Sequence, residues 1–168
     1  MRKNLVLLGM MGVGKTTIGK IVAKKQDLEF IDTDLNVEKN CSMKIPEIFK
    51  KKGEKYFRNI EEVISLKYLR LNNKVIALGG GGYINPTIRR FVQSKCISIW
   101  LNWKNETIIN RIKNSKKRPL AMKLSNLELQ DLIIKRSTVY NLSDYKINCD
   151  KLDKNQIVEK IINFYEKS

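Results

Sequence analysis

Short, largely apolar runs recur along the chain at Leu5–Leu8, Val75–Leu78 and Cys96–Leu101. Runs of this kind, without strict polar alternation, are what strands buried on both faces require. With flanking residues they predict five strands: Leu5–Leu8, Glu29–Ile31, Lys74–Leu78, Cys96–Leu101 and Tyr145–Cys149. Between them the apolar period changes to that of a helix. Helices are predicted over Thr17–Lys25, over a pair at Pro46–Lys52 and Glu54–Leu71, and over Pro86–Ser94, Asn105–Lys113, Leu127–Leu142 and Asn155–Glu166. Pro46 and Pro86 suit a first helical position, where no amide hydrogen is missed. Strands alternating with helices predict a three-layer αβα fold around a five-stranded parallel sheet. No repeat or low-complexity linker interrupts the 168 residues, so they read as one domain. In such sheets ligands bind at the carboxyl ends of the strands.

The turn after the first strand carries chemistry. Gly9-Met10-Met11-Gly12-Val13-Gly14-Lys15-Thr16 has the form G-x-x-x-x-G-K-[ST], and Thr17 continues it into the first helix. The glycines let backbone amides turn inward, and the helix start adds partial positive charge, so the loop suits a polyphosphate. Lys15 can reach the β- and γ-phosphates and the Thr16 hydroxyl can hold Mg²⁺. This reading predicts a nucleoside triphosphate site.

Two more constellations end the next strands. Asp32-Thr33-Asp34 closes Phe30-Ile31, and two residues apart on a strand would turn both carboxylates into one site. One could organise a metal and the other accept a proton, although a strand-end turn also favours this sequence. Gly79-Gly80-Gly81-Gly82 closes Val75–Leu78. Seven of only nine glycines lie here and in the phosphate loop. Four in succession cost conformational entropy, which points to a close backbone approach to a ligand.

Composition narrows the chemistry. There is no histidine, so acid–base work falls to Asp, Glu or Lys and any metal is a hard cation held by oxygen. The net charge of +16 is spread along the chain without an arm or tail. It is read as a compositional bias together with a cleft for anionic small molecules, and no nucleic-acid partner is expected. Cys41, Cys96 and Cys149 are odd in number, widely spaced and without a C-x-x-C pair, so reduced thiols are expected. No apolar run approaches the ~20 residues of a membrane span, and Leu5–Leu8 is too short for a signal peptide. A cytoplasmic monomer acting on small molecules, away from membranes, is the expectation.

Taken in order, these motifs resemble the shikimate kinase family over almost the whole chain. The phosphate loop, the D-T-D and the triple glycine stand at that family's spacings. Phe57-Arg58-x-x-Glu61 is similar to its F-R-x-x-E, and Phe49 falls where the family has an aromatic wall. Arg118-Pro119-Leu120 resembles the R-P-L of its lid, expected over about 114–126, and Arg136-x-x-x-Tyr140 its second substrate arginine and following tyrosine. The resemblance implies a fold of the nucleoside-monophosphate-kinase type with a mobile lid. It also implies transfer of the ATP γ-phosphoryl to the 3-hydroxyl of shikimate, a step towards chorismate and the aromatic amino acids.

The same resemblance distributes roles. Gly12, Val13, Gly14, Lys15, Thr16 and Thr17 would bind the ATP phosphates, with Thr16 and Asp32 organising Mg²⁺. Asp34 would bind substrate hydroxyls and take or steer the proton. Arg58 and Arg136 would clamp the carboxylate, with Gly79, Gly80 and Gly81 lining the substrate beside Phe49 and Phe57. Arg118 would neutralise charge on the moving phosphoryl group, and Arg111 would stack on adenine. Bottom-up chemistry agrees on the arginines, since a planar fork matches a carboxylate bidentately. Arg58 and Arg136 nevertheless sit on predicted helices, where a solvated arginine is the default, and Glu61 is expected to orient Arg58 from one turn away. The stretch Asp150–Asn155 lacks the proline that often packs on adenine in the family. Two rivals are weighed: another small-molecule kinase of this fold, such as a gluconate or nucleoside-monophosphate kinase, and a non-catalytic nucleotide-dependent or nucleic-acid-binding module.

Overall fold

In a computed structural model, residues 2–114 and 124–168 are described. All five predicted strands are present, each within one residue of its expected ends: β1 (Asn4–Leu8), β2 (Glu29–Asp32), β3 (Lys74–Ala77), β4 (Cys96–Asn102) and β5 (Tyr145–Asn148). They form one parallel sheet in the order β2-β3-β1-β4-β5. β1 is central, with Leu5 opposite Val75 on one side and Ile97 on the other. Leu5, Val6 and Leu7 are wholly buried, as the unalternating pattern requires.

The helices are α1 (Lys15–Lys25), α2 (Thr33–Cys41), α3 (Ile45–Leu69), α4 (Pro86–Lys95), α5 (Asn105–Lys113), α6 (Asn126–Tyr140) and α7 (Lys154–Glu166). Pro86 opens α4 and Pro46 falls in the first turn of α3. The expected pair around Gly53 appears as α3 broken at that glycine, where φ is 82° and ψ 169°. Side-chain caps set several starts: Asn85 accepts from the amides of Thr87 and Ile88, and Ser125 with Glu128 and Asp153 with Gln156 form capping boxes before α6 and α7.

One expectation is corrected. Asp32-Thr33-Asp34, expected to close the second strand with both carboxylates on one face, instead leads into a helix that the sequence did not predict, α2 over Thr33–Cys41. Asp32 is its N-cap, with its side chain accepting from the Leu35 amide, so Asp34 lies in the first helical turn and not on a strand. A capping aspartate and a strand-end turn look alike in sequence, and α2 buries only Thr33 and Val37, too few to show a helical period. A 3-10 turn over Gly82–Ile84 was also not anticipated.

Buried polar groups tie the layers together. Asn4, 2% exposed, donates to the carbonyls of Leu69 (2.9 Å) and Leu71 (2.5 Å) and accepts from the Lys74 amide (2.9 Å), fixing the end of α3 to β1 and β3. Beside the main core, Val37, Ile48, Phe57 and Ile64 form a second cluster between α2 and α3. Among the described residues no helix is long and apolar enough to cross a membrane.

All three thiols are unpaired, Cys96 and Cys149 buried and Cys41 half-buried. Burial pushes both buried thiols up to about 12. The native protein should therefore expose about one equivalent of thiol to an aromatic disulfide reagent, rising to three on denaturation. Rapid reaction of all three in the native state would contradict the packing.

Candidate active site

The phosphate loop leaves β1 at Gly9 and enters α1 at Lys15. Gly14, the N-cap of α1, has φ 95° and offers no side-chain cap, so the first amides of the helix are not claimed by a capping side chain. No acidic residue stands in that first turn to compete with an anion. Val13 is buried and pins the loop to the core, Gly12 is half-buried and Thr17 is exposed on α1. Lys15 Nζ donates to the carbonyls of Gly9 (2.7 Å) and Met10 (2.9 Å), which holds the ammonium over its own loop. The Thr16 hydroxyl donates to Asp32 Oδ2 at 2.7 Å, while Asp32 Oδ1 accepts from the Leu35 amide at 3.2 Å. One aspartate thus caps a helix and faces the phosphate-loop threonine.

A hydroxyl and a carboxylate in contact beside a phosphate loop are oxygen donors of the kind that a hard cation takes. No group of three or more Asp, Glu, Cys or His among the described residues could hold a metal alone. A cation here would draw its remaining ligands from phosphate and water.

Thr33, between the two aspartates, is wholly buried. Its hydroxyl accepts from the Gly79 amide (2.9 Å) and donates to the Ala77 carbonyl (3.4 Å), sewing the end of β2 to the end of β3. Asp34 is consequently brought against the glycine run. A methyl group on Gly79 would overlap Asp34 Oδ1 and lie 3.0 Å from Glu61 Oε1. On Gly81 it would overlap Arg58 Nη1, and on Gly80 it would lie 3.4 Å from Arg136 Nη1 and 3.3 Å from the Met11 amide nitrogen. The run is a backbone floor on which Asp34, Glu61, Arg58, Arg136 and the phosphate loop converge.

Arg58 is held from both sides. Its Nη1 donates to Glu61 Oε2 at 2.7 Å, and Nε and Nη2 both reach Glu54 Oε1 at 3.3 Å. Glu61 is 2% exposed, so a lone charge there would be costly, and Arg58 is its partner. Burial works against the Arg58 cation, and the carboxylates of Glu61 and Glu54 outweigh it, so its pKa stands above that of an ordinary arginine. The guanidinium also lies 5.1 Å from the Phe57 ring, which packs on Phe49 at 4.7 Å between centroids. Glu61 orients Arg58 as expected, and the two phenylalanines stand beside it as a wall.

Arg136, on α6, directs Nη1 to Met10 Sδ at 3.9 Å, so it too stands between the phosphate loop and the glycines. Arg111 belongs to another part of the molecule. Its guanidinium lies 3.8 Å over the Trp103 ring. Trp103 also lines a cavity of about 450 Å³ with Asn102, Lys104, Asn148, Asp150 and Lys151 at the carboxyl ends of β4 and β5. Asp150 closes that corner by accepting from the Lys104 amide (2.9 Å) and the Thr107 hydroxyl (3.0 Å). Arg118 and most of the expected lid lie outside the described residues. Sequence reasoning missed Thr33 and Trp103. Thr33 had a local signal, being the middle of the D-T-D, whereas Trp103 offered only an aromatic after a strand.

Comparison with known proteins decides the family. The family model for shikimate kinase matches residues 11–166. The chain belongs to the shikimate kinase family. The shikimate kinase of Caldanaerobacter subterraneus subsp. tengcongensis is 40% identical over 98% of this chain and 97% of its own length. That of Macrococcus caseolyticus is 41% identical over 95% of this chain and 94% of its own. A shikimate kinase structure from Acinetobacter baumannii, in complex with shikimate, superposes with a TM-score of 0.92 at 30% identity, covering 99% and 94% of the two chains. A gluconokinase from Sinorhizobium meliloti shares the fold alone, with a TM-score of 0.64 at 12% identity.

The floor generates a sharp expectation for this shikimate kinase family member. Gly81 has φ −95° and ψ −15°, a backbone open to any residue, so its smallness serves Arg58 and not the turn. Gly81→Ala should fold normally, displace Arg58 and lower kcat/KM by about 10²-fold, the scale of a ~1 Å misplacement. Wild-type kcat/KM in this variant would remove Arg58 from the site as drawn.

Proposed function

We propose that the chain carries out its family's reaction, ATP plus shikimate giving ADP and shikimate 3-phosphate, with the residues gathered around Gly79–Gly81. The observation that carries this reading is the floor itself: two carboxylates, Asp34 and Glu61, and two arginines against the same three glycines, beside a phosphate loop. A polyhydroxylated ring acid needs that set, a carboxylate to accept from hydroxyls and guanidinium forks for its own carboxylate.

Lys15 and the amides from Gly12 to Thr17 hold the ATP phosphates. Thr16 and Asp32 would hold Mg²⁺, which supplies charge neutralisation on the phosphates when bound. Asp34 receives the proton of the 3-hydroxyl as its oxygen bonds to the γ-phosphorus and the bond to the β-bridging oxygen breaks, releasing ADP. Arg58 and Arg136 fix the ring through its carboxylate, with Phe49 and Phe57 beside it. Arg118 is assigned to the moving phosphoryl and Arg111 to the nucleobase, both by family resemblance. We further assign the protein to the cytoplasm as a monomer on small-molecule substrates. A gluconate-type acceptor is the weaker reading, because that likeness extends to the fold alone.

A coupled ADP-release assay with shikimate against a panel of hydroxylated acids tests the acceptor, and turnover with another acid but not with shikimate would reject it. Arg58→Lys and Arg136→Lys should each raise KM for shikimate about ten- to a hundred-fold while sparing KM for ATP, since lysine keeps the charge and loses the fork. If only the ATP constants move, the carboxylate clamp lies elsewhere. Asp34→Asn keeps the shape but cannot take a proton, so kcat should fall by ~10²–10⁴-fold with nucleotide affinity retained. A kcat within a few-fold of wild type would leave Asp34 only a binding role.

A further inference from the structure

The hydrogen bonds of the glycine run leave a specific pattern. The Gly79 amide donates to Thr33, and the Gly79 carbonyl accepts from the Gly82 amide at 2.9 Å. The Gly81 carbonyl accepts from the Ile84 amide at 3.1 Å. The Gly80 carbonyl accepts from the Tyr140 hydroxyl. Among the described residues no bond is made to the amide of Gly80 or Gly81. These two donors are left over on a backbone segment that is otherwise fully committed.

The Gly80–Gly81 peptide is trans, so its carbonyl and its N–H point in opposite directions. Tyr140 is 1% exposed, its ring 5.8 Å from Trp100 and its hydroxyl 3.9 Å from Met10 Sδ. A carbonyl drawn towards this buried phenol sends the Gly81 N–H away from it, to the open side of the run. A peptide between two glycines has no Cβ on either side to restrain its rotation, so without the phenol the plane is free to turn over.

We propose that Tyr140 is a positioning residue: by holding the Gly80 carbonyl it aims the Gly81 amide at the acid substrate. The inference rests on the assignment of the glycine run to that substrate. Tyr140 touches no reacting atom in this scheme. Burial, opposed by Arg136 and reinforced by Glu61 and Asp34, pushes its pKa up to about 12, so the phenol keeps its proton and remains a donor at neutral pH. Tyr140 is also the last residue of α6, one turn beyond Arg136, so one helix end supplies both a substrate-side cation and the lock on the floor.

Tyr140→Phe removes the hydroxyl and keeps the ring packing. If the peptide then spends about a tenth of its time in the binding orientation, the apparent affinity falls by the same factor. The expected result is a rise of about tenfold in KM for shikimate, with kcat and KM for ATP each within about threefold of wild type. The pH profile of kcat should be unmoved. A lower Tm with an unchanged KM for shikimate would mean a structural role only, and would overturn the proposal. So would a fall in kcat with a displaced pH limb, which would put the phenol in the chemistry. If the variant does not fold, amide exchange in the wild type decides: Gly81 should exchange readily alone and be protected by shikimate. Equal exchange in both states would overturn the proposal. Wild-type turnover of shikimate, measured in the same assay, separates the two readings. Its absence rejects the substrate and with it the role of Tyr140, whereas its presence with an unmoved KM in Tyr140→Phe rejects only the latter.

Discussion

The site depends on one steric condition: nothing projects from the backbone between Gly79 and Gly81. Charged side chains from α2, α3 and α6 approach that segment so closely that a single methyl group would overlap Asp34 or Arg58. Four charges, two carboxylates and two guanidiniums, can then stand within reach of one small molecule. Partly buried charges are tolerated only when paired, and here Glu61 supports Arg58 from beneath. The arrangement is therefore an electrostatic one that a packing feature makes possible.

Sheet order explains why the floor meets the phosphate loop. β1 and β3 are neighbours, so the loops leaving their carboxyl ends are adjacent, and Gly80 lies against the Met11 amide. β2 is next in line and delivers Asp32 and Asp34 through the Thr33 stitch. Phosphate loop, glycine floor and carboxylates thus follow three consecutive strands of the sheet. β4 and β5 lie on the far side of β1 and carry the Trp103–Arg111 stack and its cavity.

Much of this was legible in the chain, and the reasons differ by element. The five strands were readable because central parallel strands are apolar on both faces, a signal that survives without neighbours. The phosphate loop and glycine run were readable because their chemistry is local. α2 was not, since a short helix with two buried residues shows no helical period and its capping aspartate passes for the end of the preceding strand. Arg58 and Arg136 were visible only through a family pattern: what distinguishes them from other helix-borne arginines is a contact with glycines more than twenty residues away. The bond from Tyr140 to Gly80 spans 60 residues and leaves no trace in composition or period.

The second apolar cluster has a consequence for how the molecule comes apart. Val37, Ile48, Phe57 and Ile64 hold α2 to α3 largely apart from the main core, with Tyr68 touching both. Regions with a small private core open at lower free energy than the sheet they flank. The cooperative unit carrying Asp34, Arg58 and Glu61 is thus smaller than the one carrying the phosphate loop. On warming, α2 and α3 should loosen first, while the sheet and the phosphate loop keep their protected amides.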